Sequence, residues 1–363
     1  MEFKPTLALV SPVPKAQQRQ NGFGMTYFTV WSHFSNLCDG ASQPCSLRAV
    51  TRSLFPCDTD CWLRTDGANT STAAGMILLM NFFGRQHGAT LPRIQRGQVL
   101  YCIDTEPVAR TARRQKCAHP ASVLVSTLPD APIRFSWLSR FYMSPDELLS
   151  ATAMPLAERR AHDFANGMPQ VSAFFGHCDS QNGNRMDLLK RLQGYGLTIA
   201  SYGECGRNVG QEAIRVASNG TFGKLELLRR HPFALVAENS PQPGWVTEKL
   251  YQAFQAGVVP VWLGTGKRWV EMHLLPVIPP QSVVVAADFP SELALVQFLL
   301  RASRNASQYR RFHSWRRNRR AASLSTLQRV YDASLDSVLC RVCRHLRETT
   351  KSTMFGSPPG ERL

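Results

Sequence analysis

The most regular pattern of apolar and polar positions lies in the second half of the chain. Short apolar runs alternate there with longer segments in which apolar residues recur at helical spacing. Such runs are typical of buried strands, and their alternation with helices predicts βα units around a parallel sheet. The predicted strands are Val171–Phe175, Leu197–Ser201, Phe233–Ala237, Val258–Trp262 and Val283–Ala286, and the predicted helices are Asn184–Leu192 and Thr247–Ala256.

The first half of the chain has a less regular pattern. Met25–Val30, Val99–Ile103 and Ile133–Trp137 have the pattern of short strands, whereas Ala73–Phe83 fits either a buried helix or a strand. A polar, charged stretch over 144–169 separates the two halves and marks a domain boundary. We therefore predict a flexible lead-in over 1–24, an amino-terminal domain over 25–160, a carboxyl-terminal domain over 165–345 and a tail over 346–363.

Composition and charge narrow the class of protein. The chain has 363 residues, of which 44% are hydrophobic, and 42 Lys and Arg against 26 Asp and Glu. This excess favours polyanionic partners: nucleic acid, an anionic membrane face or a phosphorylated substrate. The longest apolar run, Ala73–Phe83, is shorter than the about 20 residues that a bilayer span needs, and no signal pattern opens the chain. We expect a soluble chain, or one that has lost its amino terminus.

Cysteines and glycosylation sequons indicate the compartment. Ten cysteines and three sequons, at Asn69, Asn219 and Asn305, favour an oxidising secretory lumen. Cys340 and Cys343 have Cys-x-x-Cys spacing, but no second pair of ligands for zinc lies nearby in the sequence. Disulfide bonding is therefore the preferred interpretation for this pair, with free thiols and a zinc site as open alternatives.

A basic run over 310–320 offers a second possible interaction. Phe312 and Trp315 lie among its arginines and could stack on nucleic-acid bases. The same arginines suit the exposed face of a terminal helix with Trp315 on the core side. We prefer the helix and predict no nucleic-acid partner.

The candidate chemistry follows the third predicted strand of the second half. Glu238 and Asn239 come directly after that strand, at the end where ligands bind in α/β sheets. A loop rich in proline and glycine leads to a helix that Thr247 can cap. The positive helix end and the charge of Lys249 suit a diphosphate, and Glu248 can accept hydrogen bonds from sugar hydroxyls. These features predict a nucleotide-sugar site; the alternative is an ordinary βα loop.

Three ordered motifs occupy this segment and its continuation. They are Glu-Asn-Ser at 238–240, Trp-Val-Thr-Glu-Lys-Leu at 245–250 and Ala-Gly-Val-Val-Pro-Val-Trp-Leu-Gly at 256–264. Together they resemble the donor-site signature of the α1,3-fucosyltransferases, glycosyltransferase family 10. Other matches in the same family order lie at 91–107, 171–205, 279–289 and 340–343, and the likeness is strong over 170–290 and thin elsewhere.

The resemblance implies a fold, an activity and a compartment. The fold would be α/β with the GT-B architecture, two Rossmann-like domains facing across a cleft. The reaction would be an inverting transfer of L-fucose from GDP-fucose to a hydroxyl of GlcNAc in a glycoprotein glycan, with an α1,3 linkage. No cofactor or metal would be required, although Mn²⁺ could stimulate the reaction. The location would be the lumenal side of the Golgi membrane, with an anchor not seen in this chain.

The resemblance also assigns roles to single residues. Glu106 would be the general base that takes the proton of the acceptor hydroxyl, with Asp104 as the alternative carboxylate. Arg185 and Lys249 would bind the diphosphate, and Glu248 would hold ribose or fucose hydroxyls. The other residues expected to bind the donor are Tyr202, Gly203, Glu238, Asn239, Trp245, Val246 and Thr247.

Two departures from the family pattern keep other functions open. Trp245 stands where the family usually has tyrosine, which preserves a ring for stacking but replaces the hydroxyl with an indole N–H. The run over 135–140 keeps only a Phe-x-Trp frame and one arginine of the family's segment. The alternatives are a GT-B transferase that uses another nucleotide-sugar and a non-catalytic binding relative, because a fold alone does not fix the sugar.

Overall fold

Two mainly parallel sheets organise the chain in the computed structural model, which describes residues 6–10, 45–46, 57–64, 73–79, 94–104, 120, 122–137, 170–180, 183–317, 326, 328–330, 332–334 and 337–354. One unit comprises the residues up to Phe135 together with those from Leu335 onwards, and the other comprises Ser136–Ser334. The α/β class predicted from the sequence is therefore confirmed. The unit boundary lies earlier than the predicted boundary near 160, and the carboxyl-terminal residues group with the first unit.

The first unit contains a seven-stranded sheet. Its strands are β1 (Thr6–Val10), β2 (Cys45–Ser46), β3 (Trp62–Arg64), β4 (Gly75–Leu79), β5 (Val99–Ile103), β6 (Ser122–Ser126) and β7 (Ile133–Arg134). Their order is β2-β3-β1-β4-β5-β6-β7, and only β2 and β3 pair in antiparallel fashion. The predicted strand Val99–Ile103 is confirmed as β5, and the apolar run Ala73–Phe83 contains strand β4, not a helix.

The flexible lead-in predicted over 1–24 is wrong at β1. This strand pairs with both β3 and β4, so it lies inside the sheet. Its sequence, Thr-Leu-Ala-Leu-Val, is a short apolar run between Pro5 and Pro12, which is the ordinary signature of a buried strand. The strand predicted at Met25–Val30 lies outside the described residues.

The second unit contains a five-stranded parallel sheet and a short hairpin. The sheet strands are β8 (Val171–Ala173), β11 (Ile199–Ser201), β12 (Phe233–Ala237), β13 (Val259–Leu263) and β14 (Val284–Val285), and the hairpin consists of β9 (Asp179–Ser180) and β10 (Gly183–Asn184). The sheet order is β11-β8-β12-β13-β14. Every strand predicted in this half is present, with ends that differ by at most two residues.

Helices cover both faces of this sheet. They are α1 (Arg185–Gly194), α2 (Gln211–Ala217), α3 (Gly220–Leu228), α4 (Glu248–Gln255), α5 (Lys267–Trp269), α6 (Glu292–Arg304), α7 (Ala306–Arg311) and α8 (Ser314–Arg317). A π-helical turn at Val270–Leu274 and 3-10 turns at Leu275–Val277 and Ala286–Asp288 complete the unit. Leucines of α1 and α6 pack on one face of the sheet, and those of α3 share the other face with alanines of α4.

Two local predictions about the second unit are confirmed. Gly257 has a positive φ of 69° and its N–H donates to the Phe254 carbonyl, so it ends α4 as a helix C-cap glycine does. Trp315 is 3% exposed and packs against Phe254, which places it on the core side of the basic segment.

The last helix, α9 (Val338–Met354), closes the first unit. Disulfides Cys57–Cys340 and Cys61–Cys343 fix it to the segment before β3. Disulfide bonding of Cys340 and Cys343 is thus confirmed over zinc or free thiols, with partners that the sequence could not assign. Among the described helices, none has the length and apolarity that a membrane span requires.

Candidate functional site

The carboxyl end of β12 is the centre of the candidate site. All five residues of β12 are buried, and the strand lies between β8 and β13. After β8 the chain continues to β11 on one side of the sheet, and after β12 it continues to β13 on the opposite side. The loops after β8 and β12 therefore diverge at a topological switch point, where α/β sheets bind their ligands.

Glu238, Thr247, Glu248 and Lys249 form one hydrogen-bonded cluster at this point. Glu238 is 1% exposed and accepts from the Thr247 amide at 2.9 Å and from the Thr247 hydroxyl at 2.7 Å. Lys249 Nζ donates to Glu238 Oε2 at 3.2 Å, to Thr247 Oγ1 at 2.9 Å and to Glu248 Oε1 at 3.2 Å. These contacts account for all three hydrogens of the ammonium group.

Opposite charges keep Lys249 and Glu248 ionised. Burial alone would lower the pKa of Lys249, but the carboxylates of Glu238 and Glu248 raise it above its usual value. Burial would likewise raise the pKa of Glu248, and the positive charges of Lys249 and Lys224 bring it below its usual value. An ionised Glu248 is an acceptor for hydroxyl groups at neutral pH.

Thr247 occupies the N-cap position of α4 but does not cap the helix with its side chain. Its backbone is extended, as an N-cap requires, but its hydroxyl donates to Glu238 and accepts from Lys249, and it accepts from no amide N–H of α4. The hydroxyl points to Glu238 because this buried carboxylate would otherwise be desolvated with fewer hydrogen bonds. The first-turn amides of α4 consequently have no side-chain cap.

The loop between β12 and α4 is held by its own polar groups. Trp245 is 2% exposed, and its indole N–H donates to Asn239 Oδ1 at 3.0 Å. The Trp245 ring packs edge-on against Trp137, with 6.3 Å between ring centroids, and the neighbouring Val246 is buried as well. Trp269, at the end of α5, donates from its indole N–H to the Pro241 carbonyl at 2.7 Å and so connects the loop to that helix.

Arg185 begins α1 beside the same strand end. Its guanidinium donates to the His177 carbonyl at 2.9 Å and to the Ala237 carbonyl at 2.7 Å, and it lies 5.0 Å from the centre of the Phe175 ring. The residue is 4% exposed, and burial lowers its pKa while Glu238 opposes that change. Arg185 therefore ties the loop after β8 to the end of β12.

A cavity of about 500 Å³ opens next to Arg185. It lies between the amino-terminal ends of α1 and α6 and the carboxyl ends of β12 and β13. Its polar lining includes Asn184, Arg185, Asp187, Arg191, Ser291 and Glu292. Asn184 and Ser291 cap their helices by accepting from amides of α1 and α6, respectively.

Tyr202 and Gly203 pack inside the second unit. The Tyr202 ring stacks on Phe174 with 4.8 Å between centroids, and its hydroxyl lies 2.8 Å from His231 Nε2. A Cβ at position 203 would collide with the main chain of Phe175, so glycine is needed for this close approach. Disulfide Cys178–Cys205, which the sequence analysis did not predict, joins the loops after β8 and β11.

Of the two candidate carboxylates for the general base, one lies among the described residues. Glu106 lies outside the described residues. Its alternative, Asp104, directly follows β5 and is 4% exposed. Lys224, on α3, is a charged residue near the cluster that the sequence analysis missed; its helix was not predicted, so nothing in the pattern placed it there.

Comparison with known proteins gives one family. The family model described as "Glycosyltransferase family 10 (fucosyltransferase) C-term" matches residues 167–357, more than half of the chain.

Curated relatives carry related names. Alpha-(1,3)-fucosyltransferase 4 of Mus musculus is 38% identical over 98 residues, which cover 27% of this chain and 22% of that protein. Alpha-(1,3)-fucosyltransferase B of Drosophila melanogaster is 29% identical over 206 residues, which cover 51% and 44%. GDP-fucose protein O-fucosyltransferase 3 of Bos taurus is 22% identical over 237 residues, which cover 61% and 48%. The chain thus spans less than half the length of each of these relatives.

A solved structure gives the fold. A crystal structure of an α1,3-fucosyltransferase with GDP is similar with a TM-score of 0.52 and 12% identity, and the match covers 98% of this chain and 91% of that one. At this identity the similarity is evidence for the fold alone, and it confirms the predicted GT-B fold class.

Proposed function

Because the chain belongs to glycosyltransferase family 10, the fucosyltransferases, we propose that it transfers L-fucose from GDP-fucose to a hydroxyl of GlcNAc in a glycoprotein glycan, forming an α1,3 linkage. The observation that carries the proposal is the hydrogen-bonded cluster of Glu238, Thr247, Glu248 and Lys249 at the start of α4. It combines a cation, an uncapped helix start and a hydroxyl acceptor at the switch point of a parallel sheet.

Donor binding would rearrange this cluster. Lys249 already donates to three oxygens, so a phosphate oxygen could bind its ammonium group only by replacing one of the carboxylate contacts. Arg185 Nε is buried and has no hydrogen-bond partner among the described residues, which leaves one guanidinium donor for a second phosphate oxygen. Glu248 would accept from ribose or fucose hydroxyls.

The transfer itself would use a carboxylate and these cations. Glu106 would take the proton of the acceptor hydroxyl as that oxygen attacks the anomeric carbon from the face opposite the diphosphate, which inverts the centre. Arg185, Lys249 and the start of α4 would stabilise the charge that grows on the departing GDP. Because these groups supply positive charge, we propose that no metal is required and that Mn²⁺ at most stimulates.

The compartment we propose is the Golgi lumen. Support comes from the described disulfides, which are typical of oxidising compartments, and from the three sequons.

A donor screen tests the proposal. The purified chain is incubated with a GlcNAc-containing glycopeptide and GDP-fucose, GDP-mannose or UDP-GlcNAc, each with and without excess EDTA. We expect transfer from GDP-fucose alone, an α1,3 linkage in the product and persistence of transfer in EDTA. Transfer from another donor would overturn the substrate assignment, and complete loss in EDTA restored by Mn²⁺ would overturn the metal-independent mechanism.

The base is tested by two matched amide variants in the same assay. Glu106→Gln should lower transfer by about 10²–10⁴-fold, because a positioned base contributes that much, while GDP binding stays nearly unchanged. Asp104→Asn is the control. If Asp104→Asn abolishes transfer and Glu106→Gln does not, Asp104 is the base.

A further inference from the structure

Lys224 on α3 is a cation near the cluster that lacks a counter-ion contact. Its Nζ lies 5.3 Å from the centre of the Phe174 ring, and Phe174 directly follows β8 at the switch point. Within the described part of the chain, its ammonium group makes neither a hydrogen bond nor an ion pair. Lys224 is partly buried, so its charge is not simply left to bulk water.

The position of Lys224 is fixed by packing of α3 against α4. Leu225 and Leu228 share a core cluster with Ala253 of α4 and with Ala256, the residue that follows α4, and Phe174 packs against the same cluster. The charges that act on Lys224 come from Glu248 and Lys249 at the start of α4 and from Glu238 at the end of β12. On α3 itself, Glu226 pairs with Arg230, 2.8 Å away.

The charges of the hydrogen-bonded cluster show how Lys224 would affect the binding of a diphosphate. Two carboxylates, Glu238 and Glu248, face a single ammonium, Lys249, so the hydrogen-bonded cluster carries a net negative charge. Such a cluster repels a diphosphate unless cations outside it lie close by, and Arg185, which interacts with Glu238, is one of them. Lys224 adds a further positive charge, and the face of the Phe174 ring compensates an ammonium only in part.

We propose that Lys224 is a third cationic contact for the diphosphate of the donor, acting beside Arg185 and Lys249. The inference rests on the proposed function, since it takes the bound ligand to be a nucleoside diphosphate. Lys249 is already fully hydrogen-bonded within the protein, whereas Lys224 has its hydrogen-bonding capacity left for a ligand.

A proton should accompany this contact. Burial lowers the pKa of Lys224 to about 8, with Glu248 opposing that change and Lys249 adding to it. A bound anion favours the charged form and raises this pKa again. GDP binding at pH 8 should therefore take up roughly half a proton, and the uptake should fade below pH 7 because the lysine is then already protonated.

Calorimetric titration of the full chain with GDP at pH 8, in two buffers of different ionisation enthalpy, measures affinity and proton uptake together. Lys224→Met should weaken GDP binding about tenfold and abolish the uptake assigned to this lysine. Lys224→Arg should keep most of the affinity and lose the uptake, because a guanidinium stays charged. Lys190→Met, an exposed lysine on α1, is the matched control and should change neither.

The outcomes separate this inference from the function on which it rests. If the unaltered chain binds no GDP, the proposed function is overturned and this inference with it. If the unaltered chain binds GDP and folded Lys224→Met, verified by its melting temperature, binds equally well, only the role of Lys224 is overturned. Proton uptake that persists in Lys224→Arg would assign the proton to another group.

Discussion

Arg185 and Lys249 are both expected at the diphosphate, yet the fold holds them in different ways. Arg185 donates to two main-chain carbonyls, from His177 and Ala237, and keeps its net charge. Lys249 donates to two carboxylates and a hydroxyl, and those carboxylates more than cancel its charge. Because its hydrogen-bond partners are neutral carbonyls, Arg185 links two chain segments and keeps its positive charge. Because two of its partners are carboxylates, the positive charge of Lys249 is offset within the protein.

The largest effect is expected at Arg185. Arg185→Met keeps much of the side-chain volume but removes two charge-assisted hydrogen bonds, one to the buried Ala237 carbonyl and one to the His177 carbonyl, so the free energy of unfolding should fall by about 3 kcal/mol. For a unit of this size that lowers the melting temperature by roughly 6–12 °C, measurable by calorimetry.

Arg191→Met is the control for this change. Arg191 also lies on α1 and lines the same cavity, but it is exposed and pairs with Glu292 at 3.0 Å. Exposed ion pairs contribute little, so its melting temperature should stay within about 2 °C of the unaltered chain. Equal losses in the two variants would contradict a structural tie at Arg185.

A smaller effect is expected at Lys249, and it should appear in binding. Lys249→Met removes a phosphate contact that we value at about 1.5–3 kcal/mol, so GDP affinity should fall roughly tenfold to a hundredfold. Lys190→Met again controls for the loss of one positive charge. Unchanged GDP affinity in folded Lys249→Met would contradict the assignment of Lys249 to the diphosphate.

The smallest effect is expected at Glu248, and pH should reveal it. Because its pKa is lowered in the folded chain, ionised Glu248 adds stability above its unfolded value, and that stability is lost as pH falls through the folded value. Glu248→Gln should therefore lower the free energy of unfolding by less than about 1 kcal/mol at pH 7 and by nothing at pH 2. A loss that grows towards acid pH would contradict this sign.

The strands of the second unit were predictable because each is a short apolar run with polar or glycine boundaries. Phe233–Ala237 matches β12 without any shift, and Gly257 marks the end of α4 as expected. Strand β1 has the same signature, but its place near the amino terminus, among polar and proline residues, led to the wrong prediction of a flexible segment. Helices α2 and α3 lacked a clear periodic pattern and were not predicted.

The candidate site was predictable as a list of residues and not as a set of contacts. Motifs placed Glu238, Glu248 and Lys249 in one segment, and the structure joins them. The direction of the Thr247 hydroxyl depends on a buried carboxylate nine residues earlier, and Lys224 comes close only because α3 packs on α4. Contacts of this kind depend on tertiary packing, which local sequence patterns do not encode.

The two disulfides of α9 have a consequence for the order of biosynthesis. Cys57 and Cys61 leave the ribosome about 280 residues before their partners Cys340 and Cys343, and the whole second unit is translated in between. Domains generally fold as units during synthesis. The second unit should thus be the first to complete its fold, while Cys57 and Cys61 of the first unit stay unpaired with their partners until α9 emerges. Thiol-handling enzymes would then meet an early intermediate whose amino-terminal half is made but lacks these two disulfides.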